Sequence, residues 1–154
     1  GLCNSDHLGA YMQNKRIMTR RSMGADDVED MPNSCTGTCL DEAANEYLLF
    51  HGLAEDSLES VLDQGFKVSS VAHGRMFGNG SYFSDLGSKA DLYSGMYGNQ
   101  DGLLKVQLLC RVTLGKFSLA DKDTKKSECP LPGFDSVVAL PKDEGGKVDF
   151  LEMV

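Results

Sequence analysis

Residues 46–52 read EYLLFHG, and the chain continues through AEDSLESVLDQG (54–65), GRMFGNGSYFSD (74–85) and SKADLY (88–93). The first piece is a short apolar run that stops at a glycine, the pattern of a buried strand. The second places Leu58, Val61 and Leu62 at helical spacing, with acids in its first turn and Gly65 as its C-terminal stop. Phe66–Ser70 is expected to be extended. The following loop has glycines at 74, 78 and 80, which let backbone approach a ligand closely. Ser81–Ser84 then reads as a short strand, Leu86–Tyr93 as a short helix, and SGMYGNQDG as a turn-rich connector.

Working outward, LLKVQLLCRVTL (103–114) alternates most clearly. Leu104, Val106, Leu108, Cys110, Val112 and Leu114 share one face, and Lys105, Gln107, Arg111 and Thr113 the other. Its length predicts a central strand and puts Cys110 in the core rather than in chemistry. ADKDTKKSECPLPG is a polar excursion, and DSVVAL and KVDFLEMV are two further strands separated by a Pro-Lys-Asp-Glu-Gly-Gly turn. Upstream, residues 7–23 predict a helix with Leu8, Tyr11 and Met12 on one stripe, cations in its later turns and Gly24 as its stop. Asp26, Asp27, Glu29 and Asp30 follow as a solvated acidic loop. Several strands with only short helices predict an α+β fold of two packed antiparallel sheets.

The 154 residues fit one domain with a real core, in ordinary globular proportions of 41% hydrophobic and 25% charged. A net charge of −8 argues against a general nucleic-acid surface, and no apolar run reaches membrane-spanning length. The chain opens on Gly1, as a piece of a longer protein would. Five cysteines, an odd number in a chain that needs no staples, point to a reduced, intracellular protein. Cys3 and His7 share the x3 spacing of Cys35 and Cys39, so these four form a possible tetrahedral zinc set; free thiols in a loop are the other reading and the preferred one.

The ordered blocks LLFHG, QGF, MFGNGSYFSD, SKADLY, LLCRVTLGK, GFDSV and LEMV resemble the catalytic domain of the poly(ADP-ribose) polymerase family. The CRVTLGK strand has a tankyrase-like flavour. The resemblance covers residues 45–154, leaving 1–44 as an N-terminal extension packed with it as one unit. It implies NAD+ bound between two antiparallel sheets as the substrate, protein acceptors of ADP-ribose, and release of nicotinamide, with chain elongation as a further capability. His51 matches the histidine that bonds the adenine ribose, and Gly52 the glycine whose backbone pairs with the nicotinamide amide. Tyr82 and Tyr93 match the tyrosines lining the nicotinamide pocket, with Phe83 and Ala90 as neighbouring NAD+-binding positions. Glu152 matches the glutamate at the nicotinamide ribose. His51, Tyr82 and Glu152 would form the catalytic set.

The chemistry suits those residue types. Cleaving the glycosidic bond of NAD+ builds positive charge on the ribose, which a carboxylate stabilises, and the same carboxylate can polarise an acceptor hydroxyl. Aromatic faces hold a planar pyridinium by stacking and cation–π attraction. On an alternating strand, however, Glu152 would equally face solvent, and Ser88 and Lys89 read as solvent-facing helix positions. The sequence departs from the family where a serine that donates to the nicotinamide carbonyl is replaced by Ala90, which predicts weaker NAD+ binding. The family also continues for about another strand beyond the glutamate, while the segment before the sheet is too short for a regulatory helical subdomain. The loop between Phe66 and Met76 is short, which predicts an open donor site. Two other outcomes stay open: a module that binds NAD+ or ADP-ribose without turnover, and an NAD+ glycohydrolase with water as acceptor.

Overall fold

A computed structural model describes residues 5–22, 31–67, 76–94, 105–124 and 130–154, with only the backbone of 5–7 and 19–22. Its elements are α1 (Ser5–Ser22), β1 (Thr38–Asp41), β2 (Glu46–Leu53), α2 (Leu58–Gln64), α3 (Gly87–Asp91), β3 (Val106–Thr113), β4 (Phe117–Ala120), β5 (Ser136–Ala139) and β6 (Glu152–Met153). They make two three-stranded sheets, ordered β1-β2-β3 and β4-β5-β6, with short helices, the expected α+β architecture. Among the described residues no helix is long and apolar enough to cross a membrane.

Leu49 of β2, Leu114, Phe117, Val138, Leu151 and Met153 form the core between the sheets. A second cluster of Phe77, Ala120, Val137, Ala139 and Val148, flanked by Tyr82 and Val154, covers the other face of the β4-β5-β6 sheet. The sheets are spliced by Phe83 and Ser84. Ser84 exchanges both backbone hydrogen bonds with Phe50 of β2 (2.7 and 2.9 Å), and Phe83 exchanges both with Met153 of β6 (2.8 and 3.0 Å). The stretch 81–84 therefore serves as two single bridges rather than a strand.

Other differences have physical reasons. The long alternating strand is not central among the described residues. β3 lies at an edge, and β2 takes the middle because both its sides are bonded and its Leu49 is fully buried. On the solvent side of β3, Leu109 is 58% exposed. β4 pairs with β5 in parallel, because residues 121–135 supply the crossover of about a dozen or more residues that parallel pairing needs. KVDFLEMV keeps only Glu152 and Met153 as strand. β1 and β4 lie in segments with no clear periodic signal. The stripe on α1 does not pack as a unit: Leu8 and Met12 stay exposed, while Tyr11 turns to the sheet. α2 ends where expected, its Gly65 N–H bonding Val61 O at a φ of 74°. The extended stretch from Val68, the glycine loop to Arg75, the acidic loop and the SGMYGNQDG connector beyond Ser94 lie outside the described residues.

Tyr11 meets Glu46, whose side chain has no solvent exposure. Its carboxylate accepts from Tyr11 Oη, from Lys15 Nζ at 3.0 Å and from Arg111 Nη2 at 2.9 Å, tying α1 to the start of β2. Burial pushes the Glu46 acid upward, but those three donors outweigh it and hold the group down to about 2. A carboxylate depressed on folding contributes stability above its unfolded value, near 4.3, that is lost as pH falls towards 2. Urea unfolding between pH 5.5 and 2.5 should therefore show a loss on the order of 2 kcal/mol that Glu46→Gln abolishes.

A candidate NAD+ cleft between the spliced sheets and two short helices

A cleft of about 710 Å³ opens beside the splice. The end of β2, the 80–84 segment, α2, α3 and Glu152 line it, so one concavity receives the sequence candidates His51, Gly52, Tyr82, Phe83, Ala90, Tyr93 and Glu152 together.

Strand alternation orients Gly52. Phe50 gives its N–H and C=O to Ser84, on the side of β2 away from β3. In an antiparallel pair a residue's two backbone groups point the same way, and the direction repeats every second residue. Gly52 therefore turns its N–H and C=O to that same side, into the cleft. The residue must be glycine for a reason internal to the protein: a Cβ there would lie 1.9 Å from Ala90 O and 3.0 Å from Ser94 Oγ. The close seat of α3 against β2 thus demands it before any ligand arrives.

His51 Nδ1 lies 2.7 Å from Tyr82 O. A carbonyl only accepts, so Nδ1 carries the proton and donates, which leaves Nε2 as an acceptor in the neutral ring. Burial holds His51 below its usual 6.5, opposed by that hydrogen bond, so the ring is neutral at pH 7. Its edge meets Phe66 at a centroid distance of 4.8 Å, and Phe83 lies 5.4 Å from both rings. These three fix the ring's orientation.

Opposite stands the pair the sequence did not single out. Lys89 Nζ is 2.7 Å from Glu152 Oε1, with side chains only 11% and 8% exposed. Glu152 thus faces the cleft, not solvent, and Lys89 turns inward while Ser88 stays exposed and outside the lining. Burial pulls Lys89 down, but the hydrogen bond and charge of Glu152, with a smaller part from Tyr93, leave it above the usual lysine value. Lys89 is therefore a charged ammonium at neutral pH. Lys89 Nζ also sits 5.3 Å from the Tyr93 ring centroid and 5.9 Å from that of Phe150. The usable signal was spacing: Lys89 and Tyr93 are four apart, on one face of the helix predicted over Leu86–Tyr93.

Tyr93 remains half exposed at the mouth. Tyr82 lines the wall, but its hydroxyl accepts from Phe77 N (2.9 Å) and donates to Gly78 O (3.0 Å), pinning the loop that carries it. Ala90 is buried in the lining. The far wall is Asp56, Ser57, Ser60 and Val61, on and just before α2, positions the sequence reading did not pick out. Outside the cleft, burial raises the half-buried Cys110 thiol to about 11, an unreactive group. Cys3 and the His7 side chain lie outside the described residues, and Cys35 and Cys39 are free thiols. Among the described residues no three His, Cys, Asp or Glu side chains gather as a metal would need.

Comparison with known proteins identifies the family. The family model described as the poly(ADP-ribose) polymerase catalytic domain matches residues 20–151. Poly(ADP-ribose) polymerase 1 of Caenorhabditis elegans is 34% identical over 101 residues, 62% of this chain and 10% of that protein. Poly(ADP-ribose) polymerase 2 of Arabidopsis thaliana is 39% identical over 74 residues, 46% of this chain and 11% of its own length. The human protein mono-ADP-ribosyltransferase PARP3 is 33% identical over 97 residues, 62% of this chain and 18% of its own. The chain thus spans between 10% and 18% of the length of these relatives, and they do not separate a tankyrase-like branch. With the family model covering residues 20–151, and His51, Gly52 and the inward Glu152 lining one cleft, the chain belongs to the poly(ADP-ribose) polymerase catalytic domain family.

Proposed function

We propose that this domain transfers ADP-ribose from NAD+ to protein acceptors and releases nicotinamide, with residues 45–154 carrying the chemistry and 1–44 packed on as an extension. The carrying observation is that the Lys89–Glu152 pair faces the same cleft as Gly52 and His51. Tyr11 and Lys15, bonded to Glu46, support the packing of the extension.

The nicotinamide amide pairs with the two backbone groups of Gly52, between Tyr93 at the mouth and the Tyr82 wall. His51 Nε2 accepts from a hydroxyl of the adenine ribose, and Ser57 and Ser60 offer hydroxyls farther along. Glu152 has its Oε1 held by Lys89, which leaves Oε2 for a hydroxyl of the nicotinamide ribose. There its charge stabilises the oxocarbenium-like transition state, and Lys89 fixes the carboxylate so that no reorganisation is needed as charge develops. The same carboxylate is placed to polarise an acceptor hydroxyl. Incubation with labelled NAD+ tests this: free nicotinamide with labelled protein supports transfer, and product length separates one unit from a polymer. Free ADP-ribose as the sole labelled product would identify a glycohydrolase instead.

A binding module without turnover has its own support, since Ala90 supplies no hydroxyl to the nicotinamide carbonyl and Lys89 already neutralises part of the Glu152 charge. NAD+ binding by calorimetry with no nicotinamide release would establish it. Ala90→Ser measures the first point. Restoring one hydrogen bond worth about 0.5–1.5 kcal/mol should tighten NAD+ binding roughly 2- to 10-fold. An unchanged dissociation constant would mean the hydroxyl does not reach the amide.

A further inference from the structure

We propose that Ser84 is a positioning residue for the Lys89–Glu152 pair, one hydroxyl holding the strand of the glutamate and the helix of the lysine to each other; this rests on the transferase reading above. Ser84 is 3% exposed and touches three walls of the cleft. Its backbone is bonded to Phe50, next to His51 and Gly52. Its Oγ donates to Leu151 O at 3.1 Å, one residue before Glu152. The same Oγ accepts from Leu86 N at 3.2 Å, and Leu86 O in turn accepts from Lys89 N and Ala90 N at 3.1 and 3.2 Å. Asp85 Oδ1 is a longer alternative acceptor at 3.4 Å, and that carboxylate is already engaged through Oδ2 by Thr36 N and Oγ1 at 2.7 and 2.9 Å.

One proton and the lone pairs of one oxygen therefore link β6 to α3 across the splice. Ser84→Ala keeps the two backbone bonds to Phe50, so the His51–Gly52 wall that holds NAD+ is unchanged. It leaves Leu151 O and Leu86 N unlinked: the Phe83–Met153 backbone bonds still hold β6 to the splice, but the side-chain tie between the residue before Glu152 and the start of α3 is lost. Catalytic groups tolerate about 1 Å or less of drift. The hydroxyl thus bears on turnover and the backbone on binding, although both belong to the same residue.

The test measures nicotinamide release by the full chain and its Ser84→Ala, Ser84→Thr and Ser84→Ala/Glu152→Gln variants. Ser84→Ala should lower kcat about tenfold with KM within about twofold, and Ser84→Thr should keep most of the rate. In the Glu152→Gln background Ser84→Ala should add no further loss, because it acts through Glu152. An unchanged kcat, a parallel loss of NAD+ affinity, or additive losses in the double variant would overturn the proposal. Should the wild type bind NAD+ and release no nicotinamide, the transferase reading fails, and Ser84 is then judged by urea unfolding. The coupling between Lys89→Met and Glu152→Gln should fall by at least about half in the Ser84→Ala background. An equal coupling in both backgrounds overturns it.

Discussion

Glu152→Gln should lower nicotinamide release on the order of 10²- to 10³-fold while NAD+ affinity changes little. The substitution preserves shape but removes the charge that opposes the cation developing on the ribose, and interactions realised only in the transition state appear in kcat. In the proposed site, binding rests on other groups: the Gly52 backbone, His51 Nε2 and the aromatic walls. A second consequence follows from Lys89, which is 11% exposed and bonded to Glu152 at 2.7 Å. In the glutamine variant that lysine loses its counter-charge, and burial, which already pulls its pKa down, is opposed only by the smaller contribution of Tyr93. Glu152→Gln should therefore be less stable than wild type in urea at pH 7, and Lys89→Met should recover part of the loss without recovering rate. Equal rates for wild type and Glu152→Gln would remove Glu152 from the chemistry. A rate loss matched by a loss of NAD+ affinity would make it a binding residue.

Gly52→Ala should damage both fold and binding. An added Cβ meets the Ala90 carbonyl oxygen at 1.9 Å and its carbon at 2.9 Å, and backbone cannot swing aside as a flexible side chain does. Overpacking of this kind costs about 1–3 kcal/mol, and the upper end applies here, lowering Tm by roughly 5–10 °C. Relief comes only by moving α3 away from β2, which carries Ala90, Lys89 and Tyr93 out of the cleft. NAD+ affinity should accordingly fall by at least about tenfold, and kcat with it. A variant that melts and binds NAD+ like wild type would show that α3 does not seat this closely on β2.

Local signals made the His51–Gly52 wall of the cleft legible in the sequence. The apolar run at His51-Gly52, the helical spacing of Leu58, Val61 and Leu62, and the stop at Gly65 each depend on a few consecutive residues; each formed, with β2 running through Gly52 to Leu53 instead of stopping there. Pairing and register are set by distant partners. That is why the parallel β4–β5 pair, the edge position of β3 and the reduction of 81–84 to single bridges were not visible. Glu152 shows the limit most clearly. Alternation would put Leu151 and Met153 inside and Glu152 in solvent, yet all three are buried, because one side of the segment meets the core and the other meets the cleft. Lys89 was obscured for the same reason: on an isolated helix it is an ordinary solvated lysine, and only the arrival of β6 gives it a partner.

The Phe83–Ser84 splice also decides where this molecule can breathe. Four backbone hydrogen bonds there join β2 to β6, so opening the floor of the cleft means breaking the bonds that hold the two sheets together. Among the described elements, local opening at the cleft falls to α2 and α3, the short helices of 7 and 5 residues on its rims. The carboxylate proposed to stabilise the transition state therefore stands on the spliced floor, and the proposed substrate traffic passes over the short helices of the rim.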